Sequence, residues 1–257
     1  MSQQRKDTSG WKRTRRNILA FGGILAAASL SRLGTKNADA RTASCFLRGT
    51  RILTPYGERN IEDLQIGDLV VTANGQEKPI QWIGRRVYNR TTERDWVQAI
   101  KPIRIARGAL GPDVPRRDLF VSEYHCLLID DVLMRAVDLL NGSSIARHSA
   151  VELCEIEYLH IKLAMHDVIF AEGAPSESLR LQLDEASIEG FDNFVEYERL
   201  YGSSVTFPEM PCAPIGFGGG RERLRSRVRS AVSPWFDRRN AFDKARDRLE
   251  ERAQGFL

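Results

Sequence analysis

What most limits the folds open to this chain is the punctuation of its centre. From Thr50 onward the sequence advances in short alternating runs broken by turn residues: TRILTP, ERNIEDL, DLVVTA, PIQWIG, RRVY and KPIRIA. A period of two places successive side chains on opposite faces of an extended backbone, so these runs predict strands. Asn74-Gly75, between a Val/Thr-rich run and an Ile/Trp-rich one, predicts a hairpin. The pattern resumes in DLFVSEYHCLLID and in VELCEIEYLHIKLAMHDVIFAEG, and between these two stretches VLMRAVDLLNGSSI predicts one short helix stopped by Asn141-Gly142. The fold class expected is all-β over residues 45–175, continuing less regularly to 200.

The two ends differ from this body. KRTRRNILAFGGILAAASLSRLGTKNADA joins a basic stretch ending in Arg15-Arg16, an apolar run from Ile18 to Leu30 and the small triplet Ala38-Asp39-Ala40. That is the layout of a bacterial export signal over residues 1–40, with cleavage expected after Ala40. Thr14-Arg15-Arg16-Asn17-Ile18-Leu19 resembles the twin-arginine motif, which makes that export machinery an expected partner and the periplasm or exterior the expected location. The plainer alternative is a basic N-terminal helix with a chance Arg-Arg pair. The apolar run falls short of the ~20 residues that a membrane span needs. Thr42 stands where an acylation signal wants a bulky aliphatic residue, so Cys45 is a poor lipid attachment point. Residues 201–220 read as a Pro- and Gly-rich linker and 221–257 as a basic helical tail, with Leu224, Val228 and Val232 on one face and a second stretch from Arg238 to Gln254. Because positive charge gathers at the two ends and the middle is net acidic, the overall +4 is no sign of a nucleic-acid surface, and no nucleic-acid partner is expected.

Four cysteines, Cys45, Cys126, Cys154 and Cys212, contain no C-x-x-C pair, which excludes a zinc ribbon or a thioredoxin-type site. Cys154, His160 and His166 offer three metal ligands without a fourth, and no cofactor is expected. Cys45 stands at the head of the β run, just past the expected cleavage point. A thiol that attacks a carbonyl needs a proton manager, since the thiolate is the nucleophile and the departing amine must be protonated. The histidines are His125, His148, His160 and His166, and His125 follows Ser122 by three residues in LFVSEYHCLLI. Taken singly, Cys45 also reads as a small buried hydrophobe and His125 as an inert core imidazole, while His160 and His166 suit core or surface.

Taken together and in order, these residues resemble the motifs of the Hint family, the self-cleaving fold of hedgehog proteins and inteins. CFLRGTRILTPYGERNIEDLQIGDLVVTANG is similar to its opening motif, VSEYHCLLI to its T-x-x-H box with Ser122 in place of Thr, and EYLHIKLAMHDVIFAEGAPSES to its C-terminal motif. The resemblance covers residues 45–200 and implies a horseshoe-like β fold. It also implies that the Cys45 thiol attacks the carbonyl of Ser44, forming a thioester and freeing the Cys45 amine. His125 is the implied donor to that nitrogen, and Ser122 orients the amide or accepts its N–H. His160, near the place of an acidic residue, and His166, at the family's histidine, complete the implied catalytic set. The substrate is then the protein's own N-terminal segment, with a small nucleophile or a protein acceptor resolving the thioester. No His-Asn pair follows the last motif, so full splicing is not expected. Two rivals stand beside this reading: an inactive module of the same fold serving binding or structure at the cell envelope, and a Cys–His peptidase acting on other chains.

Overall fold

The computed structural model describes residues 44–90, 95–181, 186–202, 210–216, 220–234 and 237–256. The expected export signal, with its motif resembling the twin-arginine one, lies outside the described residues. Among the described residues the strands are β1 Phe46–Leu47, β2 Arg51–Thr54, β3 Gly57–Asn60, β4 Leu69–Val71, β5 Glu77–Pro79, β6 Trp82–Asn89, β7 Ile103–Ile105 and β8 Leu119–Val121. They continue with β9 Cys126–Ile129, β10 Val132–Arg135, β11 Ile145–Arg147, β12 Glu155–Lys162, β13 Val168–Ala171, β14 Ala174–Glu177 and β15 Ile215–Gly216. The helices are α1 Ala186–Glu189, α2 Phe194–Tyr201, α3 Gly220–Val232 and α4 Ala241–Ala253.

One sheet runs β11-β7-β8-β1-β12-β6 and a second runs β15-β10-β9-β14-β13-β2-β3. The predicted hairpin forms as β4 and β5, with Val70 opposite Lys78 and Gly75 at φ +78° in the turn. β12 is buried along nearly its whole length because the first sheet is covered on both faces. On one face Leu159 and Ile161 join Phe46, Ile103 and Ile105 in the main core, to which the second sheet contributes Leu127 and Ile169. On the other face Ile156 and Tyr158 join Cys45, Trp82, Phe191 and Tyr197. There the Trp82 ring meets Phe191 edge-on at 5.3 Å and Tyr197 at 5.1 Å, so α2 and the turn before it close that side. Gly84 is required by this cover, since a Cβ there would lie 2.7 Å from the Phe191 ring.

The helix expected in VLMRAVDLLNGSSI does not form. Val132–Arg135 pairs with β9, and only a 3-10 turn, Ala136–Leu139, follows. The reason is tertiary: the amides of Ala136 and Val137 donate to the carbonyls of His125 and Glu123, at 2.9 Å each, instead of to a helix of their own. Asn141 still ends the segment, its Oδ1 accepting from the Ser143 and Ile145 amides.

The C-terminal helices split by role. Leu224, Val228 and Val232 of α3 are exposed. Phe242, Ala245 and Leu249 of α4, spaced at helical periodicity, enter the main core. α4 starts in a reciprocal cap in which the Asp243 amide donates to Asn240 and the Asn240 amide donates to Asp243. The same buried Asp243 carboxylate accepts from Arg229 and Ser226, which fastens α3 to α4.

Candidate active site

β1 is the pivot of the site. It lies between β12 and β8, with Phe46 opposite Leu159 on one side and Val121 on the other. One step earlier in the same register, Cys45 faces His160 across one ladder and Ser122 across the other, and cross-strand partners share a face. Ser122 grips Cys45 twice: its Oγ accepts the Cys45 amide at 2.8 Å, and its own amide donates to the Cys45 carbonyl at 2.9 Å. Ser44 is tied down as well, its Oγ donating to the Tyr124 carbonyl at 3.2 Å. The peptide bond between Ser44 and Cys45 is therefore held on both sides.

His125 follows from the turn that carries Ser122, its amide donating to the Ser122 carbonyl at 3.2 Å. Its ring is fully buried, 4.2 Å from the Phe46 ring and 5.1 Å from the His160 ring, and neither ring nitrogen has a protein hydrogen-bond partner. Burial pushes its pKa down to about 3, with His160 acting in the same direction and Glu177 against it. His160 is also buried, and burial takes its pKa down to about 4. The Glu177 charge, the Glu177 carbonyl 3.4 Å from Nε2, and the Ser44 main chain resist that fall. Both rings are neutral near pH 7. The Cys45 thiol, 1% exposed, is pushed well above the usual range by burial, with Arg86 as a partial offset.

Glu177, at the end of β14, is the charge at the centre of the cluster. Its Oε1 accepts the Cys126 amide at 2.9 Å, and its Oε2 lies 3.5 Å from Nε2 of His166. Burial acts to raise its pKa, but His166, His125, His160 and the Cys126 amide outweigh it and bring the value down to about 2. His166 therefore sits one step from Cys45, connected through Glu177. Burial lowers its pKa, but the Cys212 side chain and the Glu177 carboxylate prevail and raise it to about 9. The Cys212 amide donates to Nδ1 at 3.0 Å, which helps to orient the ring.

Ser122 thus holds Cys45 directly and His160 stands opposite it in the β1–β12 register, while the His125 ring lies against Phe46 and His160, and His166 stands behind Glu177. His148 is elsewhere, paired with Glu152 at 2.8 Å. Among the described residues no group of three or more His, Cys, Asp or Glu side chains could hold a metal ion, and Cys154 is exposed while His160 and His166 are buried. Sequence reasoning missed Glu177, Arg86 and Cys212. Glu177 lies in the quoted APSES stretch, on the same face of β14 as the half-buried Pro175, so alternation gave no sign of its burial. What the cluster can do chemically is fix the nitrogen of the Ser44–Cys45 amide beside a buried thiol, with two neutral imidazoles buried nearby.

A family model described as Hint domain matches residues 44–182, just over half of the chain. Among solved structures, the chain is similar to the gp41-1 intein, with 17% identity over 52% of this chain and 98% of that one and a TM-score of 0.37. It is similar to a bacterial intein-like domain from Clostridium thermocellum, with 16% identity over 52% and 96% and a TM-score of 0.37. It is also similar to the Ssp DnaB mini-intein variant M86, with 12% identity over 55% and 99% and a TM-score of 0.40. No curated protein matches.

Proposed function

The chain belongs to the Hint domain family, and from that premise we propose that it cleaves its own Ser44–Cys45 peptide bond without splicing. The supporting observation is the double hold of Ser122 on Cys45, at 2.8 and 2.9 Å, with His160 opposite Cys45 in the register of β1 and β12. In the first step the Cys45 sulfur bonds to the Ser44 carbonyl carbon as the thiol proton passes to a neutral imidazole. The carbon–nitrogen bond then breaks and the same proton moves from the imidazole to the Cys45 nitrogen. A thioester and a free amine result, with no proton gained or lost. Ser122 keeps the nitrogen in line throughout. Each proton-transfer role of this kind contributes about 10²–10⁴ in rate. Water, a small nucleophile or a protein acceptor then takes the acyl group and returns the thiol.

Export through a twin-arginine system, to the periplasm or beyond, is part of this reading. Processing would part the folded domain from the segment that carried it. Isolation of a form lacking residues 1–40 from outside the cytoplasm is the check on that part.

A second reading has its own support. A thiol held protonated by burial, beside imidazoles with pKa values near 3 and 4, also suits a Hint fold kept as an inactive binding or structural module at the cell envelope. Intact-mass measurement of the full chain, with and without hydroxylamine or a thiol, separates the two. Self-cleavage predicts a break at Ser44–Cys45, stimulated by the added nucleophile and abolished by Cys45→Ala. A chain that stays whole under every condition rules the processing reading out.

A further inference from the structure

Helix α3 is built inside out. A surface helix ordinarily turns its apolar stripe to the core and its polar face to water. In α3 the inward face is the polar one: Ser226 is fully buried and donates to Asp243, Arg229 donates to the same carboxylate, and Arg246 of α4 donates to the hydroxyls of Ser226 and Ser230. The outward face is apolar, with Leu224, Val228 and Val232 exposed to 66%, 54% and 40% and Ala231 exposed among them. At helical periodicity these four residues form a stripe about 100° wide, and Ser226, Ser230 and Ser233 lie opposite it. Exposed Arg225 and Arg227 flank the stripe on its two sides. Along the helix Arg221, Arg223, Arg225, Arg227 and Arg229 stand against Glu222 alone, and in sequence Trp235-Phe236 and Arg238-Arg239 come next. Among the described residues no helix is long and apolar enough to cross a membrane, so a bilayer would meet α3 along its side.

We propose that α3 is a membrane-surface helix that lies on an anionic phospholipid bilayer, with Leu224, Val228 and Val232 in the boundary between headgroups and acyl chains and Arg225 and Arg227 against lipid phosphates. Charge complementarity selects this occupant. A second copy seated on the same face would set two arginine-lined rims against each other, which like charges oppose. A neutral apolar partner would cover the stripe but desolvate the guanidinium groups without a counter-charge. An anionic bilayer offers the stripe an apolar layer and the arginines phosphate oxygens, which guanidinium groups bind in bidentate fashion. Because α4 sends Phe242, Ala245 and Leu249 into the main core and holds α3 through Asp243, a bilayer that binds α3 holds the β body with it. This inference does not rest on the processing reading, and it applies to a cut and an uncut chain alike.

The full chain carrying Cys45→Ala is titrated with vesicles of phosphatidylcholine alone, or of phosphatidylcholine and phosphatidylglycerol in equal parts, and hydrogen exchange of the α3 amides is followed by peptide mass. A readout confined to α3 is needed because the basic stretch ending in Arg15-Arg16 also attracts anionic lipid. The mixed vesicles are expected to slow exchange in α3, phosphatidylcholine alone to leave it unchanged, and high salt to weaken the protection. Arg225→Gln and Arg227→Gln should each lower the lipid affinity read from that protection about fivefold. Leu224→Ser combined with Val228→Ser should remove the protection, while exchange in α4 and the core strands stays as in the parent, since both side chains are exposed. Unchanged α3 exchange in the presence of mixed vesicles overturns the proposal, as does protection that is equal on both lipids or survives the double serine substitution. Protection that grows with protein concentration in the absence of lipid assigns the face to a second copy and overturns it as well.

Discussion

Mild acid should weaken this protein through its histidines. His125 and His160 have folded-state pKa values near 3 and 4, against 6.5 for an ordinary histidine. The unfolded chain therefore takes up these protons first, so their contribution is intact above 6.5 and is lost as pH falls toward the folded values. Between pH 7 and pH 5 each ring costs about 2 kcal/mol, or about 4 kcal/mol for both. His166 acts in the opposite sense. Its raised value near 9 means that its stabilisation is complete below 6.5 and fades as pH climbs through 9, which returns about 1 kcal/mol over the same interval. Glu177, at about 2, loses its contribution only as pH drops from 4.5 toward that value, and so hardly enters. The net loss from pH 7 to pH 5 is about 3 kcal/mol. Urea unfolding of the Cys45→Ala chain at the two pH values, followed by tryptophan fluorescence, measures it. In a His125→Asn background about two thirds of the loss should disappear. Equal stability at both pH values, or an undiminished loss in the variant, would refute the reasoning.

Ser122→Ala strips the buried Cys45 amide of its acceptor, and should cost about 1–3 kcal/mol in denaturant unfolding while slowing hydroxylamine-stimulated cleavage. Ser122→Thr keeps the hydroxyl and should restore both. Gly84→Ala drives a methyl group into the Phe191 ring, and thermal unfolding should report a loss of about 1–3 kcal/mol, reduced when Phe191 is also shortened to Leu.

Much of the β architecture was legible because its signals are local. Asn74-Gly75 allows the positive φ that the hairpin needs, and the alternation in EIEYLHIK sorts Tyr158 and Leu159 to opposite faces of one sheet. Ser122 and His125 were legible as a pair since a single turn separates them. Where the reading failed, distant backbone decided the outcome. Val132–Arg135 pair with β9 instead of joining a helix, so that only Ala136–Leu139 turns as a short 3-10 helix. The inward face of α4 was hidden differently: Phe242, Ala245 and Leu249 are correctly spaced, but they are scattered among arginines and carboxylates that dominate the composition. Glu177 was illegible as a hub because nothing near it in sequence shows that His125, His160 and His166, from three separate segments, end up around one carboxylate. Cys212 escaped notice because what it gives the His166 ring is a main-chain amide, which leaves no mark in the residue type.

The position of β1 determines what a severed molecule would look like. Phe46 is laced to neighbours on both sides and Leu47 to β12, so scission would not release the strand, and the polypeptide would begin inside its own body. An amide that had one hydrogen to give would become an amino group, ordinarily protonated at about pH 7.7–8, in a place water scarcely reaches. The Ser122 hydroxyl could still accept from it, but a full positive charge there carries a desolvation cost that the uncut chain never meets. The mature terminus would be driven to stay uncharged or to draw itself out toward solvent, and the second change would make the cut difficult to reverse.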